Sequence, residues 1–135
     1  MTLGEAGPLV ALVDSKQRAS KQCRTILAAL SKPVITTWPC FTEAMYLCQR
    51  VGGWPMQRLL WTYYEQRMIQ FYTLADSDPA RMTALMAQYS DTPMDLADAS
   101  LVVAAEGLQL RRIFTLDGHF RAYRIHGRHA FEVVP

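Results

Sequence analysis

The chain has 135 residues, half of them hydrophobic and 19% charged, which suits a single folded domain over residues 1–135 and excludes a disordered chain. Its longest apolar runs, such as Leu101 to Ala105, fall far short of the ~20 residues that cross a bilayer, and its opening residues lack the basic and apolar blocks of a signal peptide, so a cytoplasmic protein without membrane contact is expected. A net charge of +2 is too small to define a nucleic-acid binder by itself.

In chain order, the pattern alternates short strands with longer helices. Only Met1 to Gly4 precede Glu5 and the first Gly-Pro turn, which leaves room for a brief first strand, and the apolar run Leu9 to Val13 comes next. Ala19, Cys23, Ile26, Leu27 and Leu30 recur on one face of a helix, which Ser31-Lys32-Pro33 stops. Val34 to Thr37 is β-branched throughout and predicts a buried strand. Phe41, Ala44, Met45, Leu47 and Cys48 form the next helical stripe. Gly52-Gly53 ends it, and Pro55 opens a further helix to about Glu65. Met68 to Leu74 reads as a strand, and Pro79 opens a helix bearing Met82, Leu85, Met86 and Tyr89. A helix from Asp95 to Glu106 is closed by Gly107. Ile113 to Leu116 is a fourth strand and Phe131 to Val134 a fifth.

Cys23, Cys40 and Cys48 cannot all pair within one chain and match no zinc-binding spacing, so they are expected to be reduced packing residues. His119, His126 and His129 lack a suitably spaced partner for a metal site. No phosphate-cradling glycine loop and no nucleophile elbow is present. Charge is segregated: five arginines (Arg111, Arg112, Arg121, Arg124 and Arg128) crowd the C-terminal part, and five aspartates lie between Asp76 and Asp98. Solvated faces or a metal site beside an anion-binding surface both accommodate that pattern.

Strands separated by helices imply βαβ units, a mostly parallel sheet and helices on both of its faces. Ligand sites in such sheets lie beyond the carboxyl ends of the strands. Acidic residues collect there. Glu5 follows the first strand, Glu43 stands early in the helix after Val34 to Thr37, Asp98 lies in the first turn of its helix, and Asp117 directly follows Leu116. Carboxylates converging on one crevice repel one another unless a divalent cation neutralises them, and hard oxygen donors favour Mg²⁺ or Mn²⁺. Taken singly, each has a plainer role: Asp95 and Asp98 as helix initiators, Asp117-Gly118 as a turn, Glu43 as a solvated residue.

Four segments carry a resemblance: Glu5-Ala-Gly-Pro-Leu-Val-Ala-Leu, Thr36-Thr-Trp-Pro-Cys-Phe-Thr-Glu-Ala, Asp91-Thr-Pro-Met-Asp-Leu-Ala-Asp-Ala-Ser-Leu and Phe114-Thr-Leu-Asp-Gly-His-Phe. In this order the chain resembles PIN-domain proteins, and within them the VapC-type toxins of toxin–antitoxin pairs. The resemblance implies a three-layer α/β/α sandwich with a short, mostly parallel sheet. It also implies metal-dependent cleavage of RNA phosphodiester bonds, with Glu5, Glu43, Asp98 and Asp117 as the acids that hold Mg²⁺ or Mn²⁺, and Asp95 in support. The family's first acid is usually the aspartate of Asp-Thr-Gly-Pro, whereas this chain has Glu5-Ala6-Gly7-Pro8. That departure keeps a second reading open, a catalytically weakened PIN domain that binds RNA or protein. The resemblance further implies a homodimer and an antitoxin partner, and part of the aromatic-rich stretch around Trp54, Leu60 and Trp61 is expected to be exposed in the monomer and covered by such a partner.

Overall fold

Each strand is three residues or shorter, yet its side chains still divide between two faces as the period of two requires. In the computed structural model, which describes residues 1–135, the elements run β1 (Thr2–Gly4), α1 (Ala6–Val13), α2 (Ser20–Ala29), β2 (Val34–Thr36), α3 (Trp38–Glu65), β3 (Ile69–Phe71), α4 (Asp78–Gln88) and α5 (Leu96–Leu108). They are followed by β4 (Arg112–Phe114), a 3-10 turn (Gly118–Arg121), the pair β5 (Arg124–Ile125) and β6 (His129–Ala130), and β7 (Glu132–Val134). Five strands form one parallel sheet in the order β3-β2-β1-β4-β7.

Leu3, Ile35 and Ile113 stand in one row of this sheet and pack with α5 and the Met82 and Leu85 side of α4. Val34, Ile69 and Phe114 point the other way, into a second core with α1, α2 and α3. The result is the expected three-layer α/β/α sandwich. Cys23, Cys40 and Cys48 are free and buried in these cores, as expected, Cys23 and Cys48 from their helical stripes.

Several boundaries differ from the sequence reading. The strands expected over Met68 to Leu74 and Ile113 to Leu116 shrink to β3 and β4. Gly107 does not close α5: the helix continues to Leu108, and Gln109 in the left-handed region makes the cap. Gly107 is needed for another reason, since a Cβ there would lie 2.6 Å from the Tyr72 hydroxyl. The break at Gly52-Gly53 is real: Gly53 has φ 65° and ψ −157° inside the span of α3, a conformation that suits glycine.

Gly4 ends the central strand immediately before Glu5, and a Cβ there would meet Val34 Cγ1 at 2.6 Å. Val34 is buried in a neighbouring strand and has no free space to move into. Gly4→Ala is therefore expected to lower unfolding stability by about 1–3 kcal/mol, seen as a lower denaturant midpoint with an unchanged slope.

Candidate metal centre

β1 and β4 are neighbours at the centre of the sheet, and the connections leaving their carboxyl ends run to opposite sides, the switch point where open α/β sheets bind ligands. Glu5 leaves β1 there, its N–H donating to the Phe114 carbonyl at 3.0 Å. Thr115 and Asp117 leave β4 at the same place. The Thr115 hydroxyl donates to Glu5 Oε2 at 2.5 Å and accepts from the Asp117 N–H at 2.9 Å, so one side chain fixes both acids.

Asp98 arrives from α5. Asp95 caps that helix, its Oδ1 accepting from the Asp98 N–H at 2.8 Å, while Asp98 Oδ2 accepts in return from the Asp95 N–H at 3.3 Å. The Tyr123 hydroxyl also donates to Asp98 Oδ2, at 3.1 Å. The start of α5 is tied to the start of α3 through Thr37, which caps α3 and whose hydroxyl lies 2.6 Å from that of Ser100.

Glu5, Asp98 and Asp117 thus converge: one carboxylate oxygen from each lies within 4.8 Å of the others. Glu43 stands outside this trio, on the exposed face of the first turns of α3, lining an open groove with Asp95. Its charge still acts on Glu5, and those of Asp95 and Asp117 act on Glu43. The three histidines form no cluster; His119 Nδ1 lies 3.1 Å from Asp117 Oδ1, and His126 and His129 lie elsewhere. Sequence reasoning missed Thr115 and Tyr123. A hydroxyl two residues ahead of Asp117 at a strand end was a signal for the first; nothing local marked the second.

The electrostatics follow from burial and crowding. Asp98 is only 6% exposed, and burial, then the Asp95 charge, push its carboxyl up to about 7. Burial also raises Glu5, with Asp117 and Glu43 adding to it against the Thr115 hydrogen bond. Glu43 is raised by burial and by Asp95 and Asp117. No lysine or arginine forms an ion pair with any of these acids. A compact set of hard oxygen donors without a lysine or arginine partner suits a divalent cation.

No family model matches the chain, and no curated protein aligns with it. Among solved structures it is similar to the Mycobacterium tuberculosis toxin VapC20, a sarcin-ricin loop cleaving toxin, with a TM-score of 0.83 and 12% identity over 90% of this chain and 94% of that one. It is also similar to a toxin–antitoxin complex from Klebsiella pneumoniae, with a TM-score of 0.67 and 20% identity over 100% of this chain and 97% of that one. The class of structure is thereby defined: a PIN-like α/β/α sandwich in the form these toxin structures take.

The face expected to meet a partner is only partly as anticipated. Trp54 is 61% exposed and Trp61 is partly buried, but Leu60 is 0% exposed and belongs to the core of α1, α2 and α3. Its neighbour Leu59 is the exposed one, because the helix turns by about 100° per residue. No helix is long and apolar enough to cross a membrane.

Proposed function

We propose that this protein is a metal-dependent endoribonuclease and the toxin of a type II toxin–antitoxin pair. The convergence of Glu5, Asp98 and Asp117 at the sheet's switch point carries the reading, and the likeness to VapC20 supports it. These three carboxylates would hold the cation, with Glu43 at the rim and Asp95 fixing the start of α5. A bound Mg²⁺ or Mn²⁺ supplies Lewis acidity toward a phosphate oxygen and lowers the pKa of water. The chain's own part is to present three fixed carboxylates: Thr115 orients Glu5 and the backbone leading to Asp117, and Tyr123 orients Asp98. An antitoxin, or a second copy of the chain in a homodimer, would cover the exposed Trp54 and Leu59 face.

Incubating the purified protein with RNA, with Mn²⁺ or with excess chelator, tests the reading: cleavage that needs the ion supports it, and cleavage indifferent to chelator ends it.

Glu5 favours the second reading, a weakened domain that binds without cutting, because its extra methylene displaces the carboxylate from the reach of an aspartate. The Thr115 hydrogen bond restrains that longer side chain and supplies a hydroxyl to the first acid, which Ala6 cannot. If Glu5 works, Glu5→Asp retains or raises Mn²⁺-dependent cleavage and Glu5→Ala lowers it. Initial rates on one labelled RNA separate the two readings: in a decayed site Glu5→Ala changes nothing.

A further inference from the structure

Beside the acidic centre runs an open groove lined by Trp38, Pro39, Glu43, Tyr46, Asp95 and Leu96, with a volume of about 720 Å³, in the range of small-molecule sites. Trp38 occupies the first turn of α3, and its indole lies flat on the Phe71 ring, with centroids 3.7 Å apart and an interplanar angle of 7°. Phe41 braces both rings edge-on. One face of the indole is therefore covered and the ring is held in place, yet the residue is 53% exposed. An indole backed by a second ring and open on its other side is a platform without a top layer. About two turns along the same helix face, Tyr46 is 60% exposed, with the Arg50 guanidinium 5.8 Å from its ring centre.

The polar lining selects the occupant. Glu43 and Asp95 offer only acceptor oxygens, and no cation lines the groove, so a phosphate is repelled. The edge of a nucleobase, with its amino and imino donors, is matched. The groove is also contiguous with the acidic centre, since Asp95 caps the helix that carries Asp98. We propose that this groove is a stacking subsite for one unpaired base of the RNA strand, with Trp38 as its platform and Tyr46 as its outer wall. The proposal rests on the ribonuclease reading above and assigns two residues, Trp38 and Tyr46, to holding that base beside the cut. Base–aromatic stacking is strong enough for this role, because every base has a π face that a duplex would hide.

The test is binding of a fluorescently labelled single-stranded oligoribonucleotide, read by anisotropy in an Asp98→Asn background that removes cleavage. Trp38→Ala is expected to weaken binding roughly tenfold, Trp38→Phe to keep most of it, and Tyr46→Ala to weaken it severalfold. Binding of a duplex of the same length should be unmoved by all three. Tyr46 is 60% exposed and belongs to neither core, so its variant stays folded and decides the matter even if Trp38→Ala does not fold. Unchanged single-strand affinity in folded Trp38→Ala and Tyr46→Ala overturns the subsite, while Mn²⁺-dependent cleavage by the parent leaves the ribonuclease reading standing. A change in oligomeric state with unchanged affinity also overturns it, and marks the groove as a contact between copies. A parent protein that neither binds nor cuts any RNA overturns both.

Discussion

Asp98→Asn is expected to reduce Mn²⁺-dependent RNA cleavage by more than about a hundredfold. Outer hydrogen-bonding partners of a metal ligand alone are worth roughly 10–100-fold, and this substitution removes a charge from the trio itself. The loss will not come from unfolding. An asparagine carbonyl can accept the same two hydrogen bonds, from the Tyr123 hydroxyl and the Asp95 N–H. It also relieves a buried negative charge that faces Asp95 and Asp117. The variant should therefore melt no lower than the parent at pH 8 without metal, while its rate on a labelled RNA collapses. A variant that cuts as fast as the parent would remove Asp98 from the chemistry.

The second large effect is on stability. Asp98 titrates at about 7 in the fold against an ordinary value of 3.8, because it is buried and faces Asp95. Glu5 and Glu43 are shifted in the same direction, burial again first. Groups raised in this way stabilise the fold below their unfolded values and lose that contribution as pH rises through the folded ones. The metal-free protein should thus become less stable between about pH 4 and pH 8, by roughly 2–4 kcal/mol from Asp98, or about 5–15 °C in melting temperature. Glu106 does not interfere. Although partly buried, it is held below the ordinary carboxylate range by Arg81 and the His126 N–H, so its contribution is lost only under more acidic conditions. Mn²⁺ at pH 8 should reverse the loss, by about 2.7 kcal/mol at a hundred times its dissociation constant. Melting curves that are flat with pH and indifferent to Mn²⁺ would contradict the centre described above.

The parts of the fold legible in the sequence were those whose pattern and environment agree. Val34 to Thr36 is β-branched and buried on both faces, and the Gly53 break needs a backbone that only glycine adopts easily. The acids at strand ends could be placed by topology, since a parallel sheet sends every carboxyl end the same way. Their side-chain directions could not. Glu43 and Asp98 both stand near the starts of their helices, Glu43 in the second turn of α3 and Asp98 in the first of α5, and packing turns one into the trio and leaves the other at its rim. Gly107 and Leu60 misled for a related reason. Gly107 answers to Tyr72 across a helix contact rather than to its own helix end, and Leu60 faces the core within a segment rich in exposed neighbours. Of the five arginines of the C-terminal part, Arg112 is engaged by Glu132, Arg111 by His129 and Arg124 by the Arg121 and Tyr123 carbonyls.

The strand order has a consequence for how the protein is made. β1 precedes β2 and β4 in the chain, yet it lies between them in the sheet, and β4 follows it by about a hundred residues. Until β4 leaves the ribosome, β1 has one bare flank, and Glu5 lacks both Thr115 and Asp117. Contacts so distant along the chain close late and slowly. A nascent chain that stops at residue 110 carries two of the three clustered acids but no centre in which to use them. A nuclease working under this reading would stay silent toward the ribosome and message producing it until Thr115 and Asp117 are free to join Glu5, with the interval set by topology alone.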